Sequence, residues 1–416
     1  MVTWPHVTVA CAVGVLCGLC YTLSPMIVWF GLAMVGLFAW AGRGLGGRER
    51  AWVFGLLGAG VALRVLALVV FFLGTLQVDG SFPVLVPDET HLAYRSRMLR
   101  YIALGIPIGQ DYVDSSSPYG WSGLHYVHAL LQQFVGESPY SIRLFDVSLY
   151  LTTCVTLYRM VRPAFGALAS LGGLAVVLFQ PSLFVWSIAF LKEVPTQFLA
   201  VISLVAVVAA MRAPSLRTGA VACMVVGGAA LAIETVRPGC GAVIIGGLVL
   251  GTAGMALIRW PKLVLVALVV CVFGGGAALR SDGLRQRATG FLATTALYHL
   301  GYVQTAGWNY KILDAGFYQR TDAGSPVGVD PNRLTPAATA RYLVRAAVSV
   351  VAVPLPWHVG SRPALAFLPE QVFWQLLFAL AIIGTAAGLR LDATTTCMLA
   401  GAIILWAMAI GMTSGN

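Results

Sequence analysis

Residues 191–212 read LKEVPTQFLAVISLVAVVAAMR. Between Glu193 and Arg212 no side chain carries a charge. A helix needs about 20 apolar residues to cross the hydrocarbon of a bilayer, so this stretch reads as a transmembrane span with charges only at its ends. The same pattern recurs in both directions. The candidate spans are 7–24, 26–42, 51–77, 141–160, 166–188, 193–211, 218–234, 239–258, 261–279, 370–389 and 394–412. The expected fold is therefore all-α: a polytopic membrane helix bundle of about eleven spans.

Composition agrees. The residues are 59% hydrophobic and only 10% charged, with a mean hydropathy of +0.84. Soluble domains carry about 25% charged residues, so no water-facing surface can be built from this chain throughout its length. The net charge of +10 is a topology signal rather than a nucleic-acid footprint, because Lys and Arg collect in cytoplasmic loops. Arg43, Arg48 and Arg50, then Arg159 and Arg162, then Arg212 and Arg217, then Arg259 and Lys262, and finally Arg390 all fall in alternate loops of this trace. In the same trace every acid except Glu49 and Asp392 lies outside or at the outer end of a span. The eight cysteines show no metal or disulfide spacing and read as small apolar packing residues. The N-terminus lacks a basic start and a small-residue cleavage site and reads as a retained first span. No internal repeat is visible, which disfavours a two-fold-repeat transporter.

Four regions are expected: a two-span hairpin over 1–50; a core over 51–279 containing an outer loop at 78–140; a second outer segment over 280–357; and C-terminal spans over 358–416. The second outer segment ends in a re-entrant piece at 341–357, closing on Pro354-Leu355-Pro356-Trp357. Irregular backbone at membrane depth is tolerated where it lines a protein cavity.

Candidate chemistry gathers on the outer side. Asp88 and Glu89 are adjacent carboxylates just beyond a span, placed to take a proton from an attacking hydroxyl. Asp88 is equally a good N-cap for a helix over 89–104, whose basic and apolar faces suit the membrane surface. Lys192 and Glu193 stand at the top of the fifth span, where charge is costly and often functional. Lys192 suits a phosphate, and Glu193 suits an acceptor hydroxyl. Glu234 and Arg237 form a similar helix tip, with Arg237 a second candidate for phosphate. Arg143 and Asp146 pair locally along one helix face. Arg64 lies mid-span and is expected to face the bundle interior and pair there. Asp111 and Asp114 read as a solvated loop with some capacity for a metal or sugar. His125 and His128 make at most a weak metal pair. Arg280, Arg285, Arg287, Arg320 and Arg333 accompany His299, Trp308, Asn309, Tyr310 and Lys311 in the second outer segment, and Trp357-His358 suits an entry groove for a lipid chain. No Gly-rich phosphate loop with a following Lys-Ser/Thr is present.

Pro87-Asp88-Glu89 in the first outer loop, Trp186-Ser187 to Leu191-Lys192-Glu193 after the fifth span, and Pro354-Leu355-Pro356-Trp357 before a late span occur in an order that resembles the GT-C class of integral-membrane glycosyltransferases. The likeness covers roughly residues 55–416 and is nearest the protein mannosyltransferases and the rhizobial lipopolysaccharide sugar transferases of bacterial polysaccharide clusters. It implies a polyprenyl-phosphate sugar donor, a glycan, lipid or protein acceptor, and an active site on the periplasmic or extracellular face of a bacterial inner membrane. It implies Asp88 or Glu89 as base, with Glu193 as a second acid and Lys192 and Arg237 on the donor phosphate. No cofactor is implied beyond a possible role for a divalent metal, and no nucleic acid is expected as a partner. Relatives usually continue beyond a point like Ser414-Gly415-Asn416, so a shortened member is expected. Two other readings stand beside this one. An O-antigen-type polymerase or ligase would rely on the outer-segment arginines and tolerate alanine at Asp88 and Glu89. A transporter or flippase would want ionisable groups and broken helices at the membrane midplane.

Overall fold

The computed structural model describes residues 4–79, 85, 88–107, 122–136, 139–212, 215–262, 266, 269, 281–283, 286–287, 289–292, 295, 318–320, 326–329, 336–352 and 368–413. Two compact units divide the chain, Met1–Ala242 and Val243–Asn416. Among the described residues almost everything regular is α-helix. The exception is a short antiparallel ribbon, β1 (Tyr318–Arg320) with β2 (Pro326–Val329), in register Tyr318 to Val329. Among the described residues seven helices are long and apolar enough to cross a membrane, and two shorter apolar helices precede them.

The first unit opens with α1 (Trp4–Leu23) and α2 (Pro25–Ala41). Ser24 separates them, its side chain accepting from Met26 N while Pro25 occupies the first helical turn. Pro has no N–H to lose there. Next come α3 (Gly47–Asp79), α4 (Asp88–Ala103), α5 (Gly123–Val135) and α6 (Pro139–Phe179). Helix α6 is two limbs, not one rod. Gly166 breaks it with φ 81° and ψ 173°, a conformation that glycine adopts without a Cβ clash. The Tyr150 hydroxyl donates to the Val177 carbonyl across this turn, which an unbroken helix of that length could not permit. The expected spans at 141–160 and 166–188 are thus an antiparallel pair.

The second limb does not run on to 188 as expected. It ends at Phe179, and α7 (Pro181–Ile188) starts after Gln180. Pro181 lacks an N–H, so the Val177 carbonyl loses its helical donor. Tyr150 replaces it. The neighbouring Leu178 carbonyl accepts instead from Arg64 Nη2 at 3.0 Å. Arg64 is fully buried, as its mid-span position requires, but its hydrogen-bond partners are oxygens without charge. Nε donates to Ser187 Oγ at 2.7 Å and Nη1 to Gly60 O at 3.0 Å. The rings of Tyr150 and Phe184 each lie 5.0 Å from its guanidinium carbon. Unsatisfied polar groups in hydrocarbon cost several kcal/mol each, and this one side chain supplies donors to both sides of the helix break.

Helices α8 (Glu193–Arg212) and α9 (Leu216–Val236) complete the first unit as a hairpin, and α10 (Cys240–Arg259) begins at its close. One end of this unit is tied by Glu49. Its carboxylate takes two bonds from Arg162, at 2.6 and 2.7 Å, and one from the Tyr158 hydroxyl at 2.6 Å. Arg159 Nη1 donates to the Trp40 and Arg43 carbonyls at 2.8 and 3.0 Å. The basic loops at 43–50 and 159–162 therefore meet. At the other end, Arg143 bonds Glu89 at 2.6 Å. Arg143 and Arg162 are 19 residues apart on one limb, about 28 Å at the helical rise, which matches a hydrocarbon core of about 30 Å.

In the second unit α10 packs antiparallel on α13 (Ala393–Thr413), joined by α11 (Pro336–Ala352) and α12 (Leu368–Leu391). Small residues let two backbones approach. A Cβ added at Gly401 would stand 2.4 Å from Gly251 N, and one at Gly251 would stand 2.8 Å from Cys397 O. Thr394 faces Met255 across the same seam, so Arg259 and Arg390 share an end, as the loop charges led one to expect. The expected re-entrant piece begins as a regular helix, α11, whose Tyr342 donates to the Met412 carbonyl at 2.6 Å. Its Pro354-Leu355-Pro356-Trp357 close, and most of the expected span 261–279, lie outside the described residues.

The glycine seam makes a sharp test. Gly251→Val forces α10 and α13 apart and should cost about 1–3 kcal/mol as an overpacked contact. Gly254→Ala meets only the Cys397 side chain, at 3.7 Å or more, and should leave the thermal midpoint of the detergent-solubilised protein within a degree or two. Equal melting curves for the two variants would refute this packing.

Candidate active site

The site lies at the Glu89 end of the first unit, where several helix termini and one irregular linker converge. Glu89 is the centre. It sits in the first turn of α4 and is fully buried. Oε2 accepts from Arg143 Nη2 at 2.6 Å and from Leu85 N at 2.9 Å. Oε1 accepts from Phe190 N at 2.8 Å. Phe190 belongs to the linker 189–192 between α7 and α8, the break that Arg64 supports from below through Ser187. One carboxylate thus ties the start of α4, the first limb of α6 and the α7–α8 linker together.

Asp88, its neighbour, is exposed. The two acids that sequence left equivalent are therefore different groups: Asp88 is open to solvent and Glu89 is consumed by three donors. Lys192 and Glu193 follow Phe190 by two and three residues, so Asp88, Glu89 and Glu193 come to the same end of the unit. Arg237 Nη1 lies 3.4 Å from Glu193 Oε1, while Glu193 Oε2 has no hydrogen-bond partner among the described residues. Glu234 is structural: it accepts from Gly239 N at 2.8 Å and Gly241 N at 3.1 Å, placing a negative charge at the start of α10, where the helix dipole favours it. Gly239 makes that turn with φ 87°.

Arg143 was expected to pair with Asp146 along its own helix. Its ion pair is with Glu89, 54 residues earlier. Asp146 lies within electrostatic reach of Arg143 and Glu89 but both its oxygens lack a hydrogen-bond partner among the described residues. The side chain of a residue three positions on points along the helix, whereas Glu89 comes from a separate element that can meet the guanidinium head-on.

His125 and His128 lie on the inward face of α5. Nδ1 of His125 accepts from Ser122 N at 2.8 Å, closing the N-terminus of the helix. Burial, with Arg95 and Lys192 nearby, pushes its pKa down to about 4. His128 is fully buried against the Phe190 ring, centroids 4.3 Å apart, and burial pushes it down to about 3. Both rings are neutral at pH 7 and give the site no cation. Gly123 holds α5 close to α9, since a Cβ there would stand 2.3 Å from the Thr235 hydroxyl. Among the described residues no group of three or more His, Cys, Asp or Glu is arranged to hold a metal. Asp111, Asp114, Arg280, Arg285, Arg333, His299, Trp308, Asn309, Tyr310, Lys311 and the Trp357-His358 step lie outside the described residues. Arg287 is exposed, and Arg320 stands in β1.

Sequence reasoning missed the Glu89–Arg143 pair and the Phe190 amide. The one available signal was an Arg at 143 in an otherwise charge-poor helix, read as a local pair.

Residues 123–274 match the family described as dolichyl-phosphate-mannose-protein mannosyltransferase. The match spans α5 through α10 and includes Arg143, Lys192, Glu193 and Arg237; Asp88 and Glu89 precede it. No curated protein and no solved structure gives a significant match. Together with the seven helices among the described residues that are able to cross a membrane, the match supports a membrane glycosyltransferase, similar over this central region to the dolichyl-phosphate-mannose-protein mannosyltransferases.

Proposed function

We propose that this glycosyltransferase moves a sugar from a polyprenyl-phosphate donor to a glycan, lipid or protein acceptor at the outer membrane face, in the synthesis of cell-surface polysaccharide. The observation that carries the reading is the buried Glu89 carboxylate bonded at once to Arg143 and to the Phe190 amide. It keeps an exposed acid, Asp88, near a linker that ends in an amine, Lys192, with a second acid, Glu193, at the start of α8. An acid to accept a proton and a cation to receive a phosphate are what lipid-phosphate sugar transfer needs.

In this mechanism Asp88 removes the proton of the acceptor hydroxyl. The hydroxyl oxygen attacks the anomeric carbon, and the bond from that carbon to the phosphate oxygen breaks. The lipid phosphate leaves with the bonding electrons and inversion results. Lys192 steadies the departing phosphate as a point charge, through charge-assisted hydrogen bonds. Glu193, with one oxygen free of partners among the described residues and the other near Arg237, orients the acceptor. Arg237 supports the phosphate through this pair. Glu89 is the positioning residue that holds the others together and does not itself take the proton.

Three variants check this assignment in purified protein, with a polyprenyl-phosphate sugar and thin-layer or mass-spectrometric readout of transfer beside thermal melting curves. Asp88→Asn should lower kcat by about 100-fold or more, the usual contribution of a general base, with an unchanged melting curve. Glu89→Gln should lower the melting midpoint as well, because it weakens a buried ion pair whose loss costs about 3–5 kcal/mol. Full activity in Asp88→Asn would reverse the two roles. Lys192→Met should raise the KM for the lipid donor about tenfold, the loss of one charge-assisted hydrogen bond, and leave the acceptor KM near its starting value. An unchanged donor KM would remove Lys192 from the phosphate site.

A further inference from the structure

Arg64 is a cation at 0% exposure, well inside the longest uncharged stretch of α3, and it has a hydrogen bond on each side of the α6–α7 break. Nη2 holds the Leu178 carbonyl at the end of α6, and Nε holds Ser187 Oγ one residue before the end of α7. Nη1 returns to its own helix at Gly60 O. Ser187 Oγ in turn donates to the Phe184 carbonyl at 2.6 Å, so its lone pairs are left for the guanidinium. The Phe184 ring covers one side of the head group. One planar fork therefore bridges the last turn of α6 and the last turn of α7. That half-helix opens directly into the linker 189–192, whose other attachment is the Phe190 amide on Glu89.

A side chain that only neutralised a broken helix would need one of these bonds. The geometry points to a second role: we infer that Arg64 is a positioning residue for sugar transfer, setting the tilt of α7 and so the place of Lys192 and Glu193 relative to Asp88. It touches no reacting atom. Its effect runs through Ser187, then the Ala189–Leu191 turn, to the two side chains that the transfer mechanism uses. Displacement of a positioning element by about 1 Å can cost on the order of 100-fold in rate. A lysine at 64 keeps the charge and much of the stem but offers a point donor, which cannot reach Leu178 O and Ser187 Oγ together.

The test uses the full chain in detergent or nanodiscs with Arg64→Lys and Ser187→Ala, the second chosen because it removes a single hydroxyl and leaves the cation its carbonyl partners. Hydrogen–deuterium exchange at the Phe190 and Leu191 amides should rise about tenfold or more in both variants as the linker loosens, with α8 and α9 unchanged. Transfer should fall about tenfold or more in kcat, and the double variant should be little worse than either single one, as expected for one shared contact. The kinetic arm rests on the sugar-transfer reading; the exchange arm does not. Unchanged linker exchange overturns the positioning role whatever the activity. Faster exchange in a protein that transfers no sugar even as wild type keeps the positioning of the linker and rejects the transfer reading. Faster exchange with full kcat overturns the role in catalysis.

Discussion

Glu89 accepts hydrogen bonds from Leu85, Arg143 and Phe190, and the arrangement of that end of the first unit depends on this carboxylate. A buried charge is tolerable only when it is paired and its lone pairs are filled. Here the filling groups come from three separate stretches of chain. Their shared need for one another turns a solvation requirement into a fixed geometry. The same requirement separates the two adjacent acids. A carboxylate with three donors has little capacity left for substrate, while Asp88, one residue earlier and on the open side of α4, keeps its own.

The bilayer imposes a related demand deeper in the bundle. Pro181 ends a helix where no water can satisfy the freed carbonyls. Tyr150 and Arg64 meet that need, and a half-helix becomes stable at a depth where an ordinary span would continue. A break of this kind is costly to maintain and gives a chain segment whose exit direction differs from the helix axis. The linker that leaves it ends in Lys192, and Glu193 opens α8. Backbone satisfaction and the placement of Lys192 and Glu193 are thus one structural problem with one set of side chains.

The two ends of the first unit also answer different needs. At the Glu49 end, arginines bind a carboxylate and free carbonyls near the loops, which anchors the spans. At the Glu89 end, acids and bases are gathered with some left over. Among the described residues the α10–α13 seam of the second unit shows no such ion pair. Glycines bring the backbones together there, and close packing supplies most of the attraction, with threonine–methionine contacts beside it.

Much of this was legible in the chain. The spans are written in uncharged runs of membrane length, and their ends in the placement of arginine. Helix α4 was readable as 89–104 because amphipathic spacing is local; it spans Asp88–Ala103, with Asp88 in its first turn rather than capping it. The likeness carried by Pro87-Asp88-Glu89 and Leu191-Lys192-Glu193 led to a membrane glycosyltransferase, which the central family match bears out. What the sequence could not determine was pairing across long separations. Arg143 with Glu89, Arg64 with Ser187 and Glu49 with Arg162 each join residues more than 50 positions apart. Such contacts leave no periodic trace, because hydropathy and capping report only what lies within a turn or two. Only the tertiary structure decided which acid is buried and which stands open, since burial is a property of the neighbours that folding brings.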